Sequence, residues 1–301
     1  MKIRRYDTFI MGHISIDENI YQGEAVKEIG GAVFYSSCAS YAIGHKIGVL
    51  TKLSPQDRKY LEAFTISKED ITALDSINTT SIRNIYHSAD RERRTCTALS
   101  VADPFIIEDI PNNIDSQIYH FAGLISGEFD SEMIKLMHNK GKVALDVQGF
   151  LRTVGENKEM LFKDWEKKRE YLPYIDYLKT DAAEAEIMTG TKNRKKAAEM
   201  LFGWGAKEIM ITNNKEVLIY NGKKHYTCPL KPRNLSGRTG RGDTCFSAYI
   251  TERLNKGIEE ALLFATALVS LKMEKPGPFK GTRDEVEDYI KSFINYINLI
   301  V

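Results

Sequence analysis

Ser236-Gly-Arg-Thr-Gly-Arg-Gly-Asp-Thr-Cys-Phe-Ser-Ala-Tyr249 crowds three glycines, Gly237, Gly240 and Gly242, into one short turn. Asp243 and Thr244 then open a helix, because Phe246, Tyr249, Ile250 and Leu254 keep helical apolar spacing. Glycines let successive backbone N–H groups converge with positive φ. A helix N-terminus adds unsatisfied N–H groups and partial positive charge. Together they predict an anion cradle, to which Arg238 and Arg241 can add charge-assisted contacts. Asp243 is an acid where anions bind. It fits a helix N-cap and equally a general base facing a hydroxyl beside a phosphoryl group; the loop alone leaves both open. No GxxxxGK[ST] occurs in the chain, so this is not a Walker A loop.

Outward from this loop, short β-rich runs alternate with helical patterns. The runs are Phe9–Met11, Ile47–Leu50, Ile118–Phe121, Val143–Val147, Tyr177–Leu178, Ile209–Thr212 and Val217–Tyr220. Helical spacing marks Ala32–Ile43, Ser131–Asn139, Ala182–Thr189 and Ala197–Trp204, then three helices from about Asp243, Glu259 and Arg283. The alternation predicts an α/β fold, a mostly parallel sheet covered on both faces. Thr80–His87 and Arg94–Ser100 around the polar turn Ser88–Arg93 instead predict a hairpin, well placed to act as a lid over a site. The final segment carries a capping-box spacing at Thr282 and Glu285. Its apolar positions Val286, Tyr289, Ile290, Phe293, Ile294 and Ile297 predict a helix docked on the core.

The 301 residues carry 42 Lys+Arg against 41 Asp+Glu, which argues against a broad nucleic-acid surface. Locally the balance breaks: Val217–Gly242 holds six basic residues and no acid, a field suited to a polyphosphate. Cys38, Cys96, Cys228 and Cys245 lack metal or redox spacing and read as reduced thiols. No stretch approaches the roughly 20 apolar residues of a membrane span. The apolar run at the start is too short for a secretory leader, so a cytoplasmic chain without a membrane partner is expected.

Four segments in order resemble the ribokinase-like (PfkB) carbohydrate kinases. Gly237-Arg-Thr-Gly-Arg-Gly-Asp-Thr244 is similar to their C-terminal signature Asp-Thr-x-Gly-Ala-Gly-Asp. Gly12-His-Ile-Ser-Ile-Asp17 follows the first strand like the family's substrate-binding Asp segment, and Gly30-Gly31 precedes a helix as in the N-terminal signature. Leu178–Gly190 resembles the Asn-x-x-Glu segment. The resemblance implies a ribokinase-like three-layer α/β/α fold in one domain over 1–301, with a small β lid from about 13–24 and 77–100. It implies an ATP-dependent kinase phosphorylating a hydroxyl of a sugar, polyol or nucleoside with Mg²⁺. Asp243 would be the base, with Gly240, Arg241 and Gly242 forming the anion hole, and Asp181 and Glu184 would hold magnesium. Asp17, Gly30, Gly31 and Tyr35 would face the substrate. Lys179, Thr212, Arg238 and Gly277 would face the nucleotide, its base near the Ala261–Lys275 helix and the Pro276–Phe279 loop. Asp146, Gln148 and Arg152 stand at a strand's C-terminal end, where ligands gather in open α/β sheets; Gln148 and Arg152 are candidate substrate contacts.

Departures qualify these implications. Gly237 replaces the signature's first Asp, so a monovalent-cation site built on that side chain is not implied. Arg241 replaces its Ala, Asp181 the usual Asn of the middle segment, and Tyr35 the Asn common in the N-terminal signature. A lid sheet of this kind can also serve as a homodimer surface. Two other readings compete. A dinucleotide enzyme would carry G-x-G-x-x-G after the first strand, which Gly12–Asp17 lacks. A non-catalytic ligand-binding paralogue would be expected to lose Asp243, which is present.

Overall fold

The computed structural model describes residues 2–87 and 94–298. Strand β1 (Arg4–Met11) leads to an antiparallel pair, β2 (Ser15–Tyr21) and β3 (Glu24–Gly30), before α1 (Ala32–Ala42), β4 (Ile47–Leu53) and β5 (Ile71–Asp75). A second antiparallel pair, β6 (Ser81–Tyr86) and β7 (Arg94–Ser100), precedes β8 (Ile114–Phe121), α2 (Glu132–His138) and β9 (Lys142–Asp146). The turn Ser88–Arg93 lies outside the described residues. Then come α3 (Gln148–Leu151), the short strands β10 (Arg152–Val154) and β11 (Met160–Phe162), α4 (Lys168–Tyr171), β12 (Tyr177–Asp181), α5 (Ala182–Thr189) and α6 (Arg194–Gly203). Strands β13 (Glu208–Thr212), β14 (Glu216–Tyr220) and β15 (His225–Pro229) are followed by α7 (Arg241–Glu252), α8 (Ile258–Met273) and α9 (Arg283–Asn298).

Nine strands form the central sheet in the order β15-β14-β13-β12-β9-β8-β1-β4-β5. The run from β13 to β5 is parallel, and β14 and β15 add an antiparallel edge. Successive side chains point to opposite faces, so one strand serves two cores. Val143, Leu145, Ile209 and Ile211 pack with Met133 and Met137 of α2, Ala185 of α5 and Leu201 of α6. Ala144 and Met210 face the other way, toward Tyr249 of α7 and Leu268 of α8. This is the expected three-layer α/β/α arrangement. The chain steps from β1 outward to β4 and β5, then returns to β8 on β1's other side. That reversal opens a crevice at the C-terminal strand ends.

Helices α1 and α7 meet through small polar residues that allow a close approach. Ser40 Oγ lies 2.6 Å from Ser247 Oγ, Ser247 Oγ donates to Ser36 O at 2.9 Å, and Ser36 Oγ donates to Asp243 O at 3.2 Å. At the far end of α7 the buried Glu252 pairs with His45, Lys256 and Arg283. Thr282 and Glu285 form the expected capping box of α9, and Val286, Tyr289 and Ile290 pack against the core. The side chains of Phe293, Ile294 and Ile297 lie outside the described residues.

A separate four-stranded sheet, β3-β2-β6-β7, contains the expected hairpin strands. It takes in Glu24–Gly30, past the 13–24 boundary that the resemblance implied. Glu24-Ala-Val-Lys-Glu28 is exposed and largely charged, so no buried face announces the strand. Strands β5, β10, β11 and β15 were likewise not anticipated; β5, β11 and β15 are mostly half-buried or exposed.

Gly12 ends β1 where the crevice opens. A Cβ there would stand 2.2 Å from Ala122 O, the backbone following β8. This glycine therefore permits two strand ends to close together, a packing role. Gly12→Ala should destabilise the fold by about 1–3 kcal/mol, as overpacking does elsewhere, measured by equilibrium denaturant unfolding. A variant as stable as the parent would refute the close approach.

Candidate active site

A cavity of about 1050 Å³ lies along the C-terminal strand ends, under the small sheet. Among the expected residues it is lined by Asp17, Gly31, Tyr35, Gln148, Arg152, Lys179, Asp181, Thr212, Arg238, Gly240, Arg241, Gly242, Asp243 and Gly277. Two expected residues stand behind its wall. A Cβ on Gly30 would meet Asp17 Oδ2 and Ser15 Oγ at 2.8 Å, so this glycine makes room for the acid. Glu184 is 3% exposed, with its carboxylate turned back onto the Asp181 amide.

One side of the cavity begins with the glycine turn. Gly240 adopts φ +75, and a Cβ on it would stand 2.2 Å from the Tyr35 ring, so the turn rests on that aromatic face. Gly240 O is the first intrahelical acceptor, taking the Thr244 amide at 3.0 Å, and the Arg241 amide makes a long 3.4 Å bond to Arg238 O, so the N–H groups that open α7 are weakly held within the helix and can meet an anion. Arg241 donates to Asn214 Oδ1, which fixes the guanidinium beside the turn. Lys272 of α8 reaches the loop from below, donating to Gly237 O and Thr239 O. Sequence reading missed it. Its one visible signal was a single charge inside the apolar run Ala261–Met273.

Lys179 and Asp146 form a buried ion pair at 2.7 Å joining the ends of β12 and β9. Asp146 Oδ1 also accepts from Gln148 N at 3.1 Å. Burial alone would lower Lys179, but the carboxylates of Asp146, Glu184 and Asp243 hold it above its ordinary value. Beside the pair, burial pushes the Asp243 carboxyl above the usual range. Lys179 and Lys272 draw it down and Asp146 pushes it up.

Asp181 and Glu184 form a reciprocal capping box at the start of α5, with Asp181 Oδ1 accepting from Glu184 N at 2.8 Å and Glu184 Oε2 from Asp181 N at 2.7 Å. Burial raises Glu184, against the pull of Lys179. Among the described residues no three acids, histidines or cysteines converge as a metal cage. The donor set, Asp181 facing the cavity with neighbouring acids, suits a hydrated Mg²⁺ that enters with phosphates and keeps its waters.

The opposite wall is built by the small sheet and by α3. Asn84 and Tyr86 of β6 and Arg94 of β7 join Asp17, Gln148 and Arg152 there. Asp17 Oδ1 and Arg152 Nε are buried without a hydrogen-bond partner. Buried polar atoms are normally satisfied, and these two belong to residues that line the cavity. Burial pushes Asp17 up to about 6, opposed by Ser15 and by the charges of Arg152 and Arg94. Asn84, Tyr86 and Arg94 escaped the sequence reading because β6 and β7 show only strand alternation.

The basic segment Val217–Gly242 is less focused than its sequence suggests. Lys224 pairs with Glu259 and Arg233 with Glu274, both away from the cavity. Arg238 and Arg241 alone of its six basic residues line the cavity, where Lys179, Lys215 and Lys272 add further cationic lining. Among the described residues no helix is long and apolar enough to cross a membrane.

Comparison with known proteins agrees with this geometry. The family model "pfkB family carbohydrate kinase" matches residues 72–284. A cytidine kinase of Thermococcus kodakarensis is 31% identical over 254 residues, covering 81% of this chain and 87% of that protein. A pyrophosphate-dependent kinase of the ribokinase family, solved with a pyrophosphate analog and myo-inositol, is 33% identical. It superposes with a TM-score of 0.82 over 93% of this chain and 99% of that one. The ribokinase of Arabidopsis thaliana, solved with ribose and ATP, shares the fold at 17% identity, with a TM-score of 0.76 over 96% and 99% of the two chains. The chain thus belongs to the PfkB family of carbohydrate kinases, phosphotransferases with an alcohol group as acceptor.

Proposed function

We propose that the protein transfers the γ-phosphate of ATP to a hydroxyl of a neutral polyhydroxylated acceptor, a sugar, polyol or nucleoside. The observation that carries this reading is the position of Asp243: it lies in one cavity with the glycine turn on one side and the unpartnered Asp17 and Arg152 atoms on the other. Asp17, Arg152, Gln148 and Asn84 hold the acceptor hydroxyls. The Asp243 carboxylate takes the proton of the attacking hydroxyl, and its raised pKa suits a base working near neutrality. The Gly240, Arg241 and Gly242 amides and the Arg241 guanidinium stabilise charge on the transferring group. Arg238, Thr212, Lys179 and Gly277 face the donor. Mg²⁺, held through water by Asp181 as Glu184 orients it, would neutralise phosphate charge. The whole chain 1–301 acts as one unit, with the small sheet closing over the acceptor and excluding water.

Asp243→Asn should fold normally and keep donor binding while losing about 10²–10⁴-fold in turnover. A coupled kinase assay with calorimetric donor titration checks this, and near-parental turnover would sink the mechanism. The base must be ionised. In the parent, activity should therefore fall as pH drops through the raised pKa of Asp243, with an acid limb above the ordinary carboxylate range. A limb near pH 4, the unperturbed carboxylate value, would contradict this.

A second donor has specific support. Arg238 and Arg241 put cationic side chains against the anion turn, and the 33% identical kinase above is pyrophosphate-dependent. Product formation from ATP and from pyrophosphate, each offered with cytidine and with myo-inositol, separates the two readings. Transfer from ATP alone supports the first, and transfer from pyrophosphate alone replaces it. We also propose that two copies pair through the small sheet, which exposes Val26 and Ile85. Light scattering should then give twice the 34.2 kDa chain mass, whereas a monomer at working concentration would refute the pairing.

A further inference from the structure

Lys272 has no part in the roles assigned so far. It is 2% exposed, and its Nζ donates to Gly237 O at 2.6 Å and to Thr239 O. The same atom stands 5.2 Å from the centroid of the Tyr35 ring. A buried positive charge must be compensated. Here carbonyl dipoles and an aromatic face supply the contacts, the surroundings that would also receive a small monovalent cation. Burial lowers Lys272 to about 8, with Asp243 pulling it up and Arg241 pushing it down, so it stays mainly charged at neutral pH.

These contacts bear on the direction of the loop's amides. The chain has no cis peptide bonds among its described residues. In a trans peptide the C=O and the following N–H point opposite ways. With Gly237 O and Thr239 O held by Lys272, the N–H groups of Arg238 and Gly240 point away from its ammonium, in a stretch that lines the cavity. Gly237 completes the seat. Its N–H donates to Met273 O at 2.8 Å, and a Cβ on it would lie 1.7 Å from Lys275 O. No side chain fits at position 237 in this backbone, and the charge beneath the loop is that of Lys272.

We propose that Lys272 is a positioning residue that serves as a tethered monovalent cation, orienting the Arg238 and Gly240 amides toward the donor phosphates and making the enzyme independent of added potassium or ammonium. The inference rests on the phosphoryl-transfer reading above, but its test does not need turnover. Inorganic pyrophosphate is titrated calorimetrically into the full chain in tetramethylammonium buffer and in potassium buffer. Parental protein should bind equally in both. Lys272→Ala should bind about 10–10²-fold more weakly, the scale of a hydrogen bond to a charged group, and should regain part of it with potassium or ammonium. Lys272→Met, which fills the space with an apolar chain, should be weakened without that recovery. The proposal is overturned by potassium dependence in the parent, by unchanged affinity in Lys272→Ala, or by a loss that no small cation restores. The parental titration decides even if the variants fail to fold. A parent that phosphorylates no acceptor would defeat the phosphoryl-transfer reading alone, since the pyrophosphate titration still reads the loop.

Discussion

The buried pair between Lys179 and Asp146 is the interaction around which the site is arranged. It closes the ends of two parallel strands where polar side chains would otherwise be stranded in an apolar sheet. Breaking such a pair leaves an uncompensated charge, which is costly. Here the pair also fixes its surroundings. Asp146 orders the backbone that starts α3. A Cβ on Gly242 would lie 3.3 Å from Lys179 Cε and Nζ, so the lysine packs directly beneath the glycine turn. Asp243 then feels the cations of Lys179 and Lys272 and the anion of Asp146 as well as burial. Asp243, the glycine turn and the strand ends thus share one electrostatic centre.

Around that centre the cavity divides by chemistry. One wall is backbone amide, guanidinium and ammonium, suited to phosphate oxygens. The other offers acid, amide, phenol and guanidinium in mixed order, suited to hydroxyls that both donate and accept. The division follows from topology. The first wall comes from the ends of β12 and β13 and the start of α7, and the second from segments inserted after β1, β5 and β9.

The central fold was legible because its signals are local. Val143–Val147 and Ile209–Thr212 are short apolar runs between helical patterns, and each became a buried parallel strand. The glycine turn and Asp243 were legible for the same reason, since turn chemistry is written in adjacent residues. What escaped was set by tertiary contact. Glu24–Gly30 pairs as a strand although its residues are mostly exposed, so no buried face marked it. Lys272 reads as a stray charge until Gly237 and Thr239, more than 30 residues earlier, fold onto it. Tyr35 reads as a substrate contact, yet its ring also supports Gly240. The charge of Val217–Gly242 misled in the opposite sense, because Glu259 and Glu274 lie far from it in sequence and neutralise part of it in space.

The fastening of α7 has a mechanical consequence. Its first turn is sewn to α1 through Ser36, Ser40 and Ser247, and its last turn is bolted by Glu252 to His45, Lys256 and Arg283. A helix gripped at both ends cannot slide or tilt without breaking buried contacts together. The reactive end of the molecule is therefore its stator. The glycine turn that α7 carries is mounted on a fixed support, while the small sheet is tied to the central one through fewer strands.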